Sequence, residues 1–283
     1  MKTYTTVEEM RVASRAARLG GLRLGLIPTM GALHEGHLSL VRAAKAQCDA
    51  VAVSIFVNPL QFGPTEDLAK YPRTFERDRA LLEQEDVDFL FAPSVEELYP
   101  GKAITYVTVE GLSEKLCGRS RPGHFRGVTT VVAKLFHIVE PDLAFLGQKD
   151  AAQATIIRRM VRDLNFPVEI MVCPIVREAD GLAMSSRNAY LSPRERRSAL
   201  ALYRALREVQ KKFNQGEHNP FRLIEAGKNV LTQESGVRLD YLEIADPDTL
   251  DPVERIERPV LVAIAAFVGN TRLIDNIVLA QHL

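Results

Sequence analysis

Cysteine is scarce in this sequence and nowhere clustered. Cys48, Cys117 and Cys173 are spread along 283 residues, and no two of them form a Cys-x-x-Cys pair. A disulfide framework would need an even number of cysteines and a zinc ribbon would need clustered ones, so both classes are excluded. Three separated thiols fit a reducing compartment, and we therefore expect a cytoplasmic protein.

Net charge and long apolar runs are missing as well. The 36 Lys and Arg residues balance the 36 Asp and Glu residues, so no overall positive field attracts a nucleic acid or an anionic membrane. No apolar run approaches the ~20 residues of a membrane-spanning helix, and the N-terminal segment, with Glu8 and Glu9, does not resemble a signal peptide. We expect no nucleic-acid or membrane partner, and any anion site must be local.

The composition is that of a folded globular protein, which an enzyme would fit. Apolar residues make up 46% of the chain and charged residues 25%, which is enough apolar material to bury a core. Up to about residue 175, short apolar runs alternate with helical patterns, as in βαβ units of a parallel sheet. The predicted strands cover 22–28, 51–57, 89–92 and 143–146, and a helix is predicted at 38–47. Because the strand runs are apolar at consecutive positions, we predict an α/β, Rossmann-like sheet with helices on both faces.

The pattern changes at 177–191, a polar stretch typical of a loop or hinge. We therefore predict one domain at 1–176 and a smaller C-terminal α+β domain at 177–283, which would act as a lid. Ser192-Pro193 and Asn219-Pro220 each combine an N-cap residue with proline at the first helical position, so two helices are predicted there. Three strands are predicted beyond them, at 238–245, 260–267 and 274–279, with a turn at Gly269-Asn270.

The segment with the clearest chemistry is His34-Glu-Gly-His37, between a predicted strand and a helix that starts near Gly36. Free N–H groups and the positive end of the helix dipole make such a place suitable for a phosphate. Two histidines three residues apart share one face of the first helical turn, so both can donate to the same phosphate chain. The alternatives are a solvated or helix-capping pair, and a zinc site, which the spacing disfavours because metalloproteases place histidines four apart.

Three further segments carry polar groups suited to phosphates. Lys149 follows an apolar strand and precedes a helix, at the end of a strand where open α/β sheets bind ligands. The stretch 181–188 holds two serines and Arg187, which could close over a triphosphate. The stretch 118–126 is either a solvated basic loop or brings Arg121 to the phosphate cleft. Its basic residues are Arg119, Arg121, His124 and Arg126.

The sequence resembles the pantoate:beta-alanine ligase (pantothenate synthetase) family of the HIGH-type nucleotidyltransferase superfamily over essentially its whole length. The motifs that carry the resemblance are 28–37 (PTMGALHEGH), 56–62 (FVNPLQF), 147–150 (GQKD) and 184–187 (MSSR). The resemblance implies condensation of (R)-pantoate with beta-alanine through a pantoyl-adenylate, with ATP as substrate, Mg2+ accompanying it, and a homodimer. The lysine-rich loop of the wider superfamily corresponds here to 184–187, which has no lysine, so Lys149 and Arg187 must supply its charge.

The same resemblance assigns the site residues. Catalytic roles fall on His34, His37, Lys149, Ser185, Ser186 and Arg187. ATP binding falls on these and on Pro28, Thr29, Met30, Gly31, Gly36, Gly147, Gln148, Asp150, Val176 and Met184. Substrate binding falls on Gln61 and Gln153, with Asn58 and Arg121 as further candidates, and no side chain is assigned to a metal.

The chemistry of such a reaction needs charge neutralisation more than proton transfer. The pantoate carboxylate is already ionised at neutral pH, so it needs no general base, and neutral imidazole N–H groups can stabilise the phosphates. The later amine step needs a free amine.

Two other functions share the histidine motif: a nucleotidyltransferase that keeps AMP on its product, and a non-catalytic nucleotide sensor. Release of AMP together with pyrophosphate would distinguish the ligase. An aminoacyl-tRNA synthetase is disfavoured by the short stretch after residue 176 and the zero net charge.

Overall fold

Six parallel strands form the first sheet of the structure, a computed structural model that describes residues 1–64 and 66–280. These strands are β1 (Lys2–Tyr4), β2 (Leu24–Thr29), β3 (Ala50–Ile55), β4 (Phe89–Phe91), β5 (Leu143–Gly147) and β6 (Glu169–Cys173). Seven helices accompany them: α1 (Val7–Leu19), α2 (Glu35–Lys45), α3 (Phe75–Gln84), α4 (Val95–Leu98), α5 (Cys117–Ser120), α6 (His124–Val139) and α7 (Ala151–Asp163). The predicted strands of this part are all present, within about two residues of their predicted ends.

Helices cover both faces of this sheet, as the consecutive apolar positions predicted. Side chains along β2 alternate between faces, so Leu26 packs in one core cluster with Met10 of α1 and residues of α6 and α7. Ile27, the next residue, packs in a second cluster with residues of α2 and α3, among them Leu82. The α/β class with helices on both faces is confirmed.

The strand order determines where a ligand can bind. The order is β1-β4-β3-β2-β5-β6, so β2 and β5 are neighbours in the middle of the sheet. The chain leaves β2 towards β3 on one side and leaves β5 towards β6 on the other. In open α/β sheets a crevice forms at the carboxyl ends of the two strands where the winding direction reverses. The loops that follow β2 and β5 therefore meet at one edge of the sheet.

The C-terminal part has its own three-stranded antiparallel sheet. Its elements are α8 (Pro193–Asn214), α9 (Pro220–Thr232), β7 (Val237–Ala245), β8 (Val260–Val268) and β9 (Thr271–Leu279), with strand order β7-β8-β9. Leu202 of α8 and Ile264 of β8 pack on one side of this sheet. Leu261 and Ala265 belong instead to the cluster that contains α6 and α7. The small sheet is thus buried between its own helices and the first part of the chain, and the predicted α+β character is confirmed.

Local capping explains why both long C-terminal helices start where the sequence predicted. The Ser192 hydroxyl accepts a hydrogen bond from the N–H of Glu195 at 3.3 Å, and the Glu195 side chain accepts one from the Ser192 backbone N–H, which is a capping box. Asn219 caps α9 in a similar way, by accepting from the N–H of Arg222. Strand β9 starts at Thr271 rather than the predicted 274, because the ladder with β8 continues up to the Gly269-Asn270 turn.

Two segments are more regular than the sequence predicted. The basic stretch 118–126 is not one loop: Arg119 lies in α5, while His124 and Arg126 lie in the first turn of α6. The polar stretch 177–191 contains a bridge between Arg177 and Ala183 and a short 3-10 turn at Ser186–Tyr190. Across the residues that the structure describes, no helix is both long and apolar enough to cross a bilayer.

Candidate active site

A cleft of about 220 Å3 opens at the carboxyl ends of β2 and β5. A larger cavity of about 940 Å3 adjoins it, between the first part of the chain and the three-stranded sheet. The side chains that line both are Arg121, His124, Lys149, Asp150, Gln153, Ser185 and Arg187. The two spaces therefore form one continuous site that is long enough to involve both sheets.

Most of the residues predicted for the site line the smaller cleft. They are Pro28, Thr29, Met30, His34, Gly36, His37, Gln61, Arg121, Gly147, Lys149, Asp150, Gln153, Val176, Met184, Ser185, Ser186 and Arg187. Gly31, Gln148 and Asn58 do not line it. Gly31 serves the loop through its backbone, which has φ of 76°, in the left-handed region that favours glycine. The side chains of Gln148 and Asn58 are engaged behind the cleft, as described below.

The two histidines of the motif cap α2. The Nδ1 atom of His34 accepts a hydrogen bond from the N–H of Gly36 at 3.2 Å. The Nδ1 atom of His37 accepts one from the N–H of His34 at 3.3 Å. Because both Nδ1 atoms are acceptors, the proton of each neutral ring sits on Nε2, where it can be donated elsewhere. The capping alternative is thus realised, and it leaves both rings able to act as donors.

Both rings are neutral at physiological pH. Burial, followed by the charge of Lys149, lowers the pKa of His34 to about 4. Burial, followed by the neighbouring His34 and then Lys149, lowers the pKa of His37 to about 3. The ring centroids are 4.1 Å apart, so protonating either ring would place a charge against its neighbour. These histidines can donate hydrogen bonds without carrying a positive charge.

Gly36 is required by the close approach of the His34 ring. A Cβ atom at Gly36 would lie 2.9 Å from Cε1 of His34, closer than real Cβ contacts occur. Any larger residue would push the ring out of its capping position. The glycine in the motif therefore preserves the orientation of the histidine next to it.

A buried carboxylate holds the loop in front of the histidines. Asp78 of α3 is 0% exposed and accepts hydrogen bonds from the N–H groups of Ala32 at 2.8 Å and Leu33 at 2.9 Å. The backbone of Ala32 has φ of 49°, which is unfavourable for a residue with a Cβ atom. The carboxylate compensates by satisfying the donors that this conformation exposes. Sequence reasoning missed Asp78, because nothing near it in the chain distinguishes it from a solvated acid of α3.

Lys149 reaches the same cleft from the end of β5. Its turn, Gln148–Asp150, connects the strand directly to α7, and Nζ lies 3.9 Å from the Asp150 carboxylate. All three side chains line the smaller cleft, and the charge of Lys149 adds to burial in lowering the pKa of both histidines. The side chain of Gln148 points away and donates to Asn276 of β9 at 2.9 Å.

The Ser185–Arg187 segment is docked onto the loop that precedes the two histidines, which we call the histidine loop. The Ser186 hydroxyl donates to the carbonyl of Ala32 at 3.0 Å. The Ser185 hydroxyl accepts from the N–H of Arg187 at 3.3 Å and so starts the 3-10 turn. Arg187 itself is paired with Asp67, which lies in the segment that follows Gln61. All three predicted residues therefore meet the cleft, with the arginine held by a carboxylate that the sequence did not reveal.

Asn58 holds the side-chain amide of Gln61 at the base of the cleft. Nε2 of Gln61 lies 2.9 Å from Sδ of Met30, and Oε1 accepts from Nδ2 of Asn58 at 3.1 Å. Asn58 is 1% exposed, and it also donates to the carbonyl of Gly127 and accepts from Leu60 and Tyr99. Its amide has no further hydrogen-bonding capacity, so it orients Gln61 rather than reaching the cleft.

The turn that carries Gln61 can lie against α6 only because residue 127 is glycine. A Cβ atom at Gly127 would lie 2.3 Å from the carbonyl oxygen of Leu60. A side chain at this position would force the turn away from the helix. The position of the Gln61 amide therefore depends on a residue that is far away in the sequence.

Arg121 and His124 form a second polar group on the cleft wall. Arg121 makes two hydrogen bonds of 2.7 Å to Glu66, and another guanidinium nitrogen lies 3.0 Å from Nε2 of His124. Nδ1 of His124 donates to the carbonyl of Gln61 at 2.9 Å. Burial, followed by the charge of Arg121, lowers the pKa of His124 to about 4. Of the basic residues in this stretch, these two face the cleft.

The remaining two basic residues of the stretch point elsewhere. Arg119 forms an ion pair with Glu243 of β7. Arg126 lies over the ring of Tyr106, 4.5 Å from its centroid. In the described parts of the chain, no three His, Cys, Asp or Glu side chains come together as a metal site would require.

Comparison with known proteins shows which family the chain belongs to. The family model described as pantoate-beta-alanine ligase matches residues 2–278. The pantothenate synthetase of Koribacter versatilis is 61% identical over 279 residues, covering 99% of this chain and 96% of that protein. The crystal structure of pantothenate synthetase from Thermus thermophilus has a TM-score of 0.93 and 48% identity, covering 98% of this chain and 99% of that one.

A third relative was crystallised with ligands. The pantoate-beta-alanine ligase of Francisella tularensis, complexed with beta-gamma ATP and beta-alanine, is 33% identical with a TM-score of 0.81. The alignment covers 98% of this chain and 97% of that one. The full-length matches in sequence and in structure agree with one another, and this chain belongs to the pantoate-beta-alanine ligase family of ligases.

Proposed function

We propose that this chain condenses (R)-pantoate with beta-alanine, using ATP and forming pantothenate, AMP and pyrophosphate through a pantoyl-adenylate. The observation that carries the proposal is the meeting of three donor groups at one cleft. These groups are the Nε2 atoms of the histidine pair, the ammonium of Lys149 and the Ser185–Arg187 segment. They surround the place where an open α/β sheet binds a nucleotide. Family membership supplies the identity of the acid and the amine.

In the first step a pantoate carboxylate oxygen attacks the α-phosphorus of ATP. The new bond joins this oxygen to phosphorus, and the bond from phosphorus to the pyrophosphate oxygen breaks. Negative charge builds on the phosphate oxygens, where His34, His37 and Lys149 donate hydrogen bonds from fixed positions. Neutral histidines suit this task, because they stabilise charge without drawing the pantoate carboxylate into an ion pair.

Pantoate lies between the two glutamines in this proposal. Gln61 is held by Asn58 and Gln153 projects from α7, so neutral amides face the substrate from two sides. Neutral donors fix the hydroxyl groups and the carboxylate of pantoate and leave the carboxylate reactive. We assign Asn58 to positioning Gln61, because all of its own hydrogen bonds are already made.

In the second step the amine of beta-alanine attacks the acyl carbon of the adenylate. A carbon–nitrogen bond forms, the bond from carbon to the phosphate oxygen breaks, and AMP leaves. The amine must be neutral to react, and the departing phosphate can accept the proton that it loses. The larger cavity gives beta-alanine a place beside the adenylate, and Arg121 on its wall offers a partner for its carboxylate.

Magnesium enters this proposal with ATP, as an ion bound to the phosphates. The donors facing the cleft are mainly N–H groups, hydroxyls and cations, which suit phosphate oxygens better than a bare metal ion. The Asp150 carboxylate, half exposed beside Lys149, is the group best placed to contact a phosphate-bound ion. Magnesium there would neutralise charge on the leaving pyrophosphate.

Release of AMP tests the proposal directly. Purified protein with ATP, pantoate and beta-alanine should release AMP and pyrophosphate in equal amounts, and omission of pantoate should abolish both. Pyrophosphate without AMP in the complete mixture would indicate a nucleotidyltransferase instead. Nucleotide binding with no turnover in any mixture would indicate a sensor.

A homodimer in the cytoplasm belongs to the same proposal. The stretch 103–109 forms neither helix nor strand and belongs to neither of the sheets described above, and Ile104 on it is 84% exposed. A surface segment with an exposed apolar side chain is suited to a second copy of the chain. Light scattering should therefore give twice the 31.5 kDa chain mass, and Ile104→Asp should weaken the dimer. The three free thiols agree with a reducing compartment.

We also propose that the domains meet between residues 176 and 177. Val176 lines the cleft with the first part of the chain, whereas Arg177 is paired with Asp275 of β9. The side chains on either side of this bond thus face different sheets. Limited proteolysis should cut within 177–191 before it cuts either sheet.

A further inference from the structure

Asn276 of β9 is buried against the turn that carries Lys149. Its side chain is 2% exposed, and Nδ2 donates to the carbonyls of Gln148 at 2.9 Å and Lys149 at 3.0 Å. Its Oδ1 accepts from Nε2 of Gln148 at 2.9 Å. One amide from the three-stranded sheet therefore makes three hydrogen bonds to a turn at the end of the six-stranded sheet.

These contacts fix the backbone on both sides of one α-carbon. The carbonyls of Gln148 and Lys149 belong to the two peptide planes that flank the Lys149 Cα atom, so holding both determines how that residue is turned. A lysine side chain has four rotatable bonds and a strongly hydrated head, and the direction of its first bond limits where the ammonium can reach. The nearest carboxylate, on Asp150, is 3.9 Å from Nζ and gives weak guidance.

The neighbouring residue, Asp275, holds the stretch that leads to the Ser185–Arg187 segment. Asp275 accepts hydrogen bonds of 2.6 and 2.9 Å from Arg177, whose guanidinium also donates to the carbonyl of Gly181 at 3.1 Å. Arg177 and Gly181 lie just before the Ser185–Arg187 segment. Two adjacent residues of β9 thus contact the turn that carries Lys149 and the stretch that leads to the Ser185–Arg187 segment.

We propose that Asn276 is a positioning residue for adenylate formation, which acts by turning Lys149 towards the phosphates of ATP. This inference rests on the proposed function, since it needs Lys149 to contact the nucleotide. The three-stranded sheet then helps to position Lys149 during the first step, in addition to covering the acyl-adenylate. Asn276 does not touch substrate, and its effect passes through Lys149.

A double-mutant cycle separates this role from a purely structural one. Single-turnover formation of pantoyl-adenylate would be measured at saturating ATP and pantoate for wild type, Asn276→Ala, Lys149→Ala and the double variant. We expect Asn276→Ala alone to slow the step ~10- to 100-fold, as small misplacements of a catalytic group do. In the Lys149→Ala background the same change should slow the step less than ~2-fold, because the group it positions is gone. The Michaelis constant for pantoate should stay within ~2-fold.

Thr155→Val is the matched control. The Thr155 hydroxyl, on α7, donates to the carbonyl of Pro247 at 2.7 Å, so it also joins the two parts of the chain, but away from the cleft. The Thr155→Val variant should have a lower melting temperature but an unchanged rate of adenylate formation. Should Asn276→Ala fail to fold, Asn276→Ser takes its place in the cycle, since a hydroxyl is too short to reach both carbonyls.

Two results would overturn the inference. One is a decrease in rate from Asn276→Ala that is equally large in the Lys149→Ala background, which would mean that the amide acts independently of the lysine. The other is an unchanged rate in Asn276→Ala at full occupancy of both substrates. A Lys149→Ala variant with wild-type rate would instead contradict the proposed function, and the cycle reports this outcome separately.

Discussion

The guanidinium of Arg187 is held by the carboxylate of Asp67 through two hydrogen bonds, each 2.9 Å long. Burial raises the pKa of Asp67, but the paired guanidinium outweighs it and holds the pKa below its ordinary value. The pair joins the Ser185–Arg187 segment to the segment after Gln61. The arginine proposed to bind phosphate is thus paired with a carboxylate of the same chain.

Replacing Arg187 should impair the use of ATP, whereas replacing Asp67 should strengthen the binding of nucleotide. Arg187→Lys keeps the charge but loses the planar fork, so adenylate formation should slow ~10-fold or more, and Arg187→Ala should slow it further. Asp67→Asn weakens the resting pair, so the affinity for a non-hydrolysable ATP analogue should rise ~3- to 10-fold by calorimetry. Weaker nucleotide binding in Asp67→Asn would mean that the carboxylate orients the arginine for its ligand.

The histidine pair should make the protein sensitive to acid. The folded-state pKa values of about 4 for His34 and about 3 for His37 lie below the ordinary value of 6.5, so the unfolded chain binds protons more readily. Their contribution to stability is therefore present above pH 6.5 and is lost as the pH falls towards 4. Between pH 6.5 and 4.5 each histidine should remove up to ~2 kcal/mol from the free energy of unfolding.

Urea unfolding at a series of pH values measures this loss. His37→Gln should reduce the dependence of unfolding free energy on pH in that window, whereas His218→Gln, at an exposed position, should leave it as in wild type. The same depressed pKa values predict that adenylate formation shows no histidine titration between pH 5.5 and 8. A rate that follows a group titrating near 6.5 would contradict the neutral-donor assignment.

The two histidines should matter for rate more than for folding. His34→Ala and His37→Ala should each slow adenylate formation at least ~100-fold at neutral pH, because each removes a preorganised N–H donor. Circular dichroism should show that the helices survive. Unchanged single-turnover formation of pantoyl-adenylate in either variant would reject the donor role.

The glutamines should affect pantoate far more than ATP. Gln61→Ala and Gln153→Ala should raise the dissociation constant for pantoate ~10-fold or more, since each removes an amide that faces the acid. The dissociation constant for the ATP analogue should change less than ~2-fold. An equal rise in the dissociation constants of both ligands would mean that these amides do not face pantoate.

Asp78→Asn should damage the histidine loop without touching a ligand. The variant keeps the size of the side chain but replaces one acceptor oxygen with a donor, which then faces the N–H of Ala32 or Leu33. We expect a loss of ~1–3 kcal/mol in unfolding free energy together with weaker nucleotide binding. Asp163→Asn, which removes an exposed carboxylate at the end of α7, is the control and should leave both unchanged. Full nucleotide affinity in Asp78→Asn would show that the loop keeps its shape unaided.

Much of the site follows from local sequence. Capping acts over three or four residues, so the cap of α2 by His34 and the starts of α8 and α9 could be predicted from the residues themselves. Consecutive apolar positions likewise indicated strands covered on both faces. Helix α6 was not predicted, because His124 and Arg126 in its first turn look like solvated loop residues until the turn at Gln61 packs beside them.

The partners of the site residues were decided by the tertiary structure alone. Asp67 is 120 positions from Arg187, Asp78 is 46 from Ala32, and Asn276 is 128 from Gln148. Each pairing joins segments that follow different strands or lie in different sheets, so the folded arrangement of these elements decides it. A hydrogen bond between distant residues leaves no periodic or local signal, because its free energy depends on burial and distance in the folded chain. The sequence by itself determined which donor groups the cleft brings together, and the packing of two sheets decided what holds them there.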